Sequence, residues 1–411
     1  MQTRLQTLYF ASYNTPLAAF VSVIFTCRPN LRTSMQLPLI DRIRSFIQAE
    51  AVLVVAALAA LLSACLFPPT PRNWSAYAEA IDWRTIGLLF CLMTVVAGFT
   101  RAGLLARVRS LLTRTEGTQR RLSLLLVTLS FFTAMIVTND VALISFAPLT
   151  LLLFQGSEPR STIITLVAQT VAANLGSMMT PIGNPQNIYL YSAFELELGE
   201  FLTAIAPYGI IGFLASIAPC MLIPNTKAML GKTADSKVDT RLALAYGSLF
   251  LLALACVGRV VSWELCVLIT LIGCLIFDRG VLKHLDYSLL ITFACFFIFV
   301  GNIKHVQVIA STLQSIVVGH EVLVSALASQ VISNVPAAIM LSGFSSNGIG
   351  LLVGTNIGGL GTPVASLASL ITLRVYGRSR DAQTGRYLLW FTAINLALLV
   401  LFLGLASLLS L

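Results

Sequence analysis

The sequence predicts an all-α integral membrane protein, an inverted repeat of helices with two re-entrant hairpins and two broken transmembrane helices. Three observations predict it. The 411 residues are 57% hydrophobic and 10% charged, with a mean hydropathy of +0.88, far beyond a soluble domain. The apolar runs have helix-spanning length and lack the strict alternation of a barrel. Finally, Asn174-Leu175-Gly176-Ser177-Met178-Met179-Thr180-Pro181-Ile182-Gly183-Asn184 is echoed by Asn356-Ile357-Gly358-Gly359-Leu360-Gly361-Thr362-Pro363-Val364-Ala365-Ser366. Each copy follows a shorter polar pair, Thr138-Asn139-Asp140 and Ser333-Asn334-Val335. Helix-breaking residues in lipid need a protein-enclosed cavity to satisfy the backbone they release.

Taken in order, full crossings are expected near 48–67, 86–100, 161–190, 201–222, 242–258, 263–277, 287–302, 348–373 and 387–410. Segments 122–154 and 321–346 are apolar but interrupted at the Asn motifs, and read as hairpins. Residues 1–40 form an extension outside the fold: the run from Leu8 to Cys27 holds Asn14 and Pro16 and lacks a convincing cleavage site. The first repeat covers 41–224, a linker and inverting helix 225–262, and the second repeat 263–411. Ile81-Asp82-Trp83 and Leu285-Asp286-Tyr287 open corresponding spans, each followed by an amphipathic stretch, Arg101 to Leu112 and Lys304 to Val317.

Charge sets the topology. All but four of the 26 Lys and Arg fall on one side if the segment around Arg42 and Arg44 is cytoplasmic, leaving Arg72, Arg84, Arg259 and Lys304 outside. Retention of basic loops predicts that bias. The net charge of +9 therefore records orientation in a bilayer rather than nucleic-acid binding. The expected setting is a cell membrane of the bacterial inner type, with the core's N-terminus cytoplasmic and its C-terminus outside. The helix at 242–258 turns the second half over, so the repeat is inverted and one central site is reachable from both faces. The eight cysteines sit singly, without metal-ligand spacing, as small core residues. Lys304, His305 and His320 read as snorkelling or solvated side chains.

Asp140 is the acid placed deep in an apolar segment, where an ionised carboxylate must be protonated, cation-paired or wet; it is the candidate for the coupling ion. Asn139 and Asn334 stand at the hairpin tips, where half-helix N-termini suit an anion. Carbonyls with Thr138, Ser333, Asn174 and Asn356 supply hard oxygens suited to Na+. Thr180-Pro181 and Thr362-Pro363 mark unwound breaks, the first continuing into Gly183-Asn184-Pro185, the second using Gly358, Gly359 and Gly361. There is no Gly-rich phosphate loop, metal cluster or nucleophilic triad, so no enzyme and no cofactor beyond Na+ or H+ is expected.

These residues, VTNDVA with NLGSMMTPIGNPQN and QVISNVPAA with GTNIGGLGTP, resemble the ion transporter superfamily, particularly its citrate-transporter-like permeases, over about residues 40–411. Relatives include divalent anion:sodium symporters, arsenite permeases and D-type sodium/proton antiporters. The resemblance implies a homodimer in which hairpins and broken helices carry substrate in an elevator-like step. It implies that Thr138, Asn139, Ser333 and Asn334 bind carboxylate and Na+, and that Gly183, Asn184, Ala365 and Ser366 complete the cation sites. The dicarboxylate branch reads Ser-Asn-Thr at its tips; here Asp140 and Val335 take the third positions, which favours proton or cation coupling through the acid. The expectation is a secondary transporter of a small anion, of carboxylate or oxyanion type, coupled to H+ or Na+; the alternative is an Na+/H+ or arsenite/H+ antiporter. The Thr-Pro breaks would add backbone ligands to the substrate. Its partners would be the solute and the lipid bilayer, with no nucleic acid.

Overall fold

A computed structural model describes residues 50–67, 74–112, 117–227, 237–379 and 382–409. The proposed extension at 1–40 and most of the charged linker lie outside these residues. Among those described, the regular structure is helical: α1 Ala51–Leu66, α2 Trp74–Ala80, α3 Trp83–Arg101, α4 Leu104–Leu112, α5 Gln119–Val137, α6 Asn139–Leu153, α7 Pro159–Ser177, α8 Pro185–Ala193 and α9 Leu198–Ile217. The second part continues with α10 Thr240–Val257, α11 Trp263–Phe277, α12 Tyr287–Ile303, α13 Gln307–Val317, α14 Glu321–Ile332, α15 Asn334–Ser342, α16 Gly348–Gly358, α17 Leu367–Gly377 and α18 Thr384–Leu408.

Five of these helices are long and apolar enough to cross a membrane alone, and the pair α12 and α13, bent by 107°, makes a sixth candidate. Nine crossings were expected. The difference has a physical source: spans 161–190 and 348–373 are each split by a break into two shorter helices, while α1 and α11 hold 16 and 15 residues, roughly 24 Å of rise. The first arm of the first hairpin, α5, is itself one of the five, longer than its counterpart α14 of 12 residues.

The lipid-compatible face lies on α9, α10, α11 and α18, where Ile210, Leu214, Leu244, Leu251, Ile276 and Val400 are exposed. Large apolar side chains exposed on four helices suit a non-aqueous surrounding. At the centre, α7 is buried from Ser161 to Ser177 without interruption and α16 from Gly350 to Gly358. Small residues permit this. A Cβ on Gly176 would lie 2.2 Å from the Phe131 carbonyl oxygen of α5, and one on Gly354 would lie 2.0 Å from Ser325 Oγ of α14, the close approach that lets helices pack without a large apolar gain. The repeated Asp82 and Asp286 are N-caps, accepting from the Thr85 and Leu289 N–H at 3.0 and 3.2 Å; they satisfy one orphan donor at each helix start. Six described cysteines are buried as core residues and Cys65 is exposed.

Packing between the parts is reciprocal. Within each half the hairpin's first arm lies on the broken helix, α5 on α7 and α14 on α16, while each return arm crosses over to the other half's second fragment, α6 on α17 and α15 on α8. At the far end of α3, Arg101 grips Asp278 with both nitrogens, Nε to Oδ2 at 2.5 Å and Nη2 to Oδ1 at 2.9 Å, and Tyr246 donates to the same carboxylate at 3.3 Å. Asp278 is nearly buried while Arg101 is about one-third exposed. Arg101→Ala leaves a nearly buried carboxylate with two neutral donors, Tyr246 and the Gly280 N–H at 3.1 Å, and should cost about 1–2 kcal/mol, read as a lower melting temperature in detergent; Arg101→Lys should recover part of it.

Candidate functional site

The two hairpins turn at Thr138 (φ 78°, ψ 154°) and Ser333 (φ 74°, ψ 156°). Neither residue is glycine, and this region costs an L residue on the order of 1–3 kcal/mol. Two segments of different sequence thus share one strained conformation to within a few degrees. Its effect is to start a new helix at once, so the first turns of α6 and α15 face inward. Each tip asparagine then folds back on its neighbour: Asp140 N–H donates to Asn139 Oδ1 at 3.0 Å and Val335 N–H to Asn334 Oδ1 at 2.9 Å.

Four helix starts meet at one small cavity of about 20 Å3. It is lined by Asn139 and Asp140 of α6, Asn334 and Val335 of α15, Pro185 and Gln186 of α8, and Ser366 and Leu367 at the start of α17, with Leu289 of α12. Its size is that of about one water molecule. Each helix start carries roughly half a positive charge from its aligned peptide dipoles, and none of the lining side chains is basic. Two acceptors there have no hydrogen-bond partner although sealed from solvent, Asp140 Oδ1 and Gln186 Oε1.

Around the cavity, an amide network ties the halves. Asn174 Oδ1 accepts from Asn139 Nδ2 and from Ser366 Oγ, both at 3.0 Å, so one side chain joins the first tip to the second break. Asn184 donates to Asn356 Oδ1 at 3.0 Å, and Asn356 donates to Asn187 Oδ1 at 2.7 Å. The second tip is fastened by Asn334 N–H and Ser333 Oγ donating to the Ala365 carbonyl at 3.0 and 3.3 Å. Gly183 is enclosed: a Cβ there would lie 2.0 Å from the Ser177 carbonyl oxygen.

The sequence-derived candidates therefore divide. Asn139, Asp140, Asn334 and Ser366 line the cavity; Asn174, Asn184, Asn356, Gly183, Ala365 and Ser333 hold its walls. Thr180 and Thr362, expected beside substrate with Pro181 and Pro363, are turned elsewhere. Thr180 Oγ1 donates to the Met135 carbonyl at 2.6 Å and Thr362 Oγ1 to the Gln330 carbonyl at 3.0 Å. Those hydroxyls brace each break against the first arm of its hairpin because the breaks run beside the arms' last turns, and none of the four residues lines the cavity. Thr138, too, sits outside the lining and serves as the turn.

Sequence reasoning missed three glutamines. Gln186 enters the cavity. Gln330 fastens the second break, donating to the Gly358 and Leu360 carbonyls at 2.9 Å and accepting from Thr362 N–H at 2.9 Å. Gln169 joins the first hairpin's arms, accepting from Thr150 Oγ1 at 2.6 Å and donating to Ser130 Oγ at 3.2 Å. An uncharged amide inside an apolar run was the available signal.

A second, larger space of about 1000 Å3 opens beside α8, α12 and α15, lined among others by Tyr77, Glu79, Tyr189, Asn302, Lys304 and His305. Tyr189 shares a 2.5 Å hydrogen bond with Ser342 and packs on Phe297 at 5.3 Å between centroids. It stands one helical turn, roughly 4.5 Å along the axis, from Gln186. Lys304 and His305, set aside from the sequence as solvated, are exposed at this cleft beside Phe194, which precedes the Glu195 loop.

A family model described as citrate transporter matches residues 46–348. The chain belongs to the citrate-transporter family. Within that family's reach, it is 31% identical over 318 residues to an uncharacterized transporter of Methanocaldococcus jannaschii, covering 75% of this chain and 85% of the relative. It is 30% identical over 354 residues to the inner membrane protein YbiR of Escherichia coli, covering 81% and 91%. A shorter match, 30% identity over 138 residues and 33% of this chain, is to 28% of the silicon efflux transporter LSI3 of Oryza sativa. This citrate-transporter-family chain is accordingly a multi-pass membrane transporter, and both the Asn-rich tips and the first break fall inside the matched residues.

Proposed function

We propose that the protein is a secondary active transporter of a small anion, of carboxylate or oxyanion type, coupled to H+ or Na+ through Asp140. The observation that carries this reading is the convergence of four helix N-termini, two from each half, on a single cavity without a basic side chain. Partial positive charges fixed on backbone N–H groups suit a negative solute that must also leave again. Asn139 and Asn334 would hold the solute, and Asp140 would take the coupling ion.

The reciprocal packing of arms and fragments supports an inverted repeat with re-entrant hairpins. In an elevator-like step, α5 to α8 with α14 to α17 would move as a body against α1, α3 and α10 to α12 within a homodimer. The cleft at Tyr189 would be one access route. In proteoliposomes, counterflow of labelled citrate, succinate or arsenite should saturate for at least one solute and depend on a pH or Na+ gradient. Asp140→Asn should abolish the gradient dependence; coupled uptake equal to wild type would remove the acid from the mechanism. The alternative, an Na+/H+ or arsenite/H+ antiporter, draws on the same acid, and export against a proton gradient separates it.

A further inference from the structure

We propose that the coupling ion is a proton shared between Asp140 and Gln186, and that the ionised Asp140 carboxylate itself occupies the anion position when no substrate is bound. This rests on the reading of Asp140 as the coupling residue and adds which ion it takes and how. Two features carry it. First, Asp140 and Gln186 line the same cavity, and Asp140 Oδ1 and Gln186 Oε1 are each sealed from solvent without a hydrogen-bond donor. Gln186 is 1% exposed. A buried acceptor left bare is unfavourable, and there are two.

One proton resolves both. Bound to Asp140 Oδ1 it turns an acceptor into an O–H donor, and that hydroxyl has Gln186 Oε1 as its partner. A sodium ion resolves them less well. It would stand before four positive helix ends, which disfavour a cation.

The second feature is charge. Asp140 is the first-turn acid of α6 and lines the cavity on which all four helix starts converge, so its carboxylate charge competes with any incoming anion for the same positive helix ends. Protonation removes the competitor. The proton enters from the solution on the open side, travels on Asp140 with the solute bound, and is released to the other side as the carboxylate returns to the helix starts. Obligatory coupling follows without a second ion site.

The Asp286 carboxylate, which caps α12, acts on Asp140 through space. Arg107 on α4, Arg120 and Arg121 at the start of α5, Arg160 at the start of α7 and Arg374 near the end of α17 belong to helices around it, and none of them lines the cavity.

The test reads the proton directly and needs no substrate. Infrared difference spectra of the purified full chain, recorded across a pH titration in K+ buffer, should contain a carboxylic-acid carbonyl band that Asp140→Asn removes. Gln186→Leu deprives the O–H of its acceptor and should move the titration midpoint about one unit to the acid side, a tenfold weaker proton affinity. Gln186→Glu places two carboxylates on one proton and should move the midpoint to the alkaline side, a reversal that general loosening of the fold does not produce. Absence of an Asp140-dependent band at every pH overturns the proposal, as does an unmoved midpoint in both Gln186 variants. A band displaced by replacing K+ with Na+ overturns the proton in favour of sodium, and leaves coupled transport through Asp140 standing.

Discussion

Gly183→Ala should abolish transport and most of the folded protein, although it adds one methyl group. The new Cβ would lie 2.0 Å from the Ser177 carbonyl oxygen and 2.8 Å from its carbon. Both are backbone atoms of the same break, so no flexible side chain can yield. The segment cannot move outward either, because its next residue, Asn184, is fixed by hydrogen bonds to Ser177, Asn187 and Asn356. The cost should reach or exceed about 3 kcal/mol, the upper range for overpacking. Gly199→Ala and Gly247→Ala are the controls: a Cβ at either meets nothing within 4 Å, and a helical alanine is worth up to about 1 kcal/mol over glycine. Fluorescence size-exclusion profiles and melting temperatures of the three variants check this. A monodisperse Gly183→Ala protein with wild-type stability would mean that the break is far looser than its packing indicates.

How much of this was legible beforehand depended on the kind of residue. Asparagine, threonine and proline inside apolar runs have few inexpensive roles in a membrane helix, so Asn139, Asn334, Asn174 and Asn356 announced a cavity, and their duplication announced two halves. Asn139 and Asn334 were expected at the tips, and the chain turns one residue earlier, at Thr138 and Ser333, where one helix ends and the next begins. Thr180 and Thr362 were legible as a matched pair but not as braces: a hydroxyl serves a solute or a carbonyl equally well, and the Met135 and Gln330 carbonyls that receive them are 45 and 32 residues away. Gln186 was hidden by its neighbours, one more amide after Asn184 and Pro185. Only the convergence of four helix starts on one cavity reveals that its side chain lines it together with the acid. The count of crossings was least legible, since composition reports an apolar run and not where a break divides it.

The amide chain between the two breaks predicts strong coupling across the halves. Asn184 donates to Asn356, Asn356 donates to Asn187 and, at 2.8 Å, to the Leu352 carbonyl, while Asn187 donates to the Thr180 carbonyl at 2.9 Å. All three asparagines are buried, and each amide that loses a partner bears its own desolvation cost. Asn356→Ala leaves the Asn184 donor and the Asn187 acceptor bare, so it should cost about 2–4 kcal/mol, counting 1–3 for each bare group. Asn184→Ala should cost about as much, since it leaves the Asn356 acceptor and the Asn187 N–H bare. The double variant should cost less than the sum by about 1–3 kcal/mol, because the second substitution removes a group already orphaned by the first. Asn302, which donates to Ser63 at 3.0 Å on the α12 and α1 contact, shares no partner with this chain, so Asn302→Ala with Asn356→Ala should be additive. Denaturant titrations of the three single and two double variants in mixed micelles measure both cycles. Coupling of this size would mean that the breaks of both halves hold or yield together, the condition for moving the cavity as one body. Additive costs for Asn184 and Asn356 would instead let each half open alone, and a single moving body could not then carry the solute.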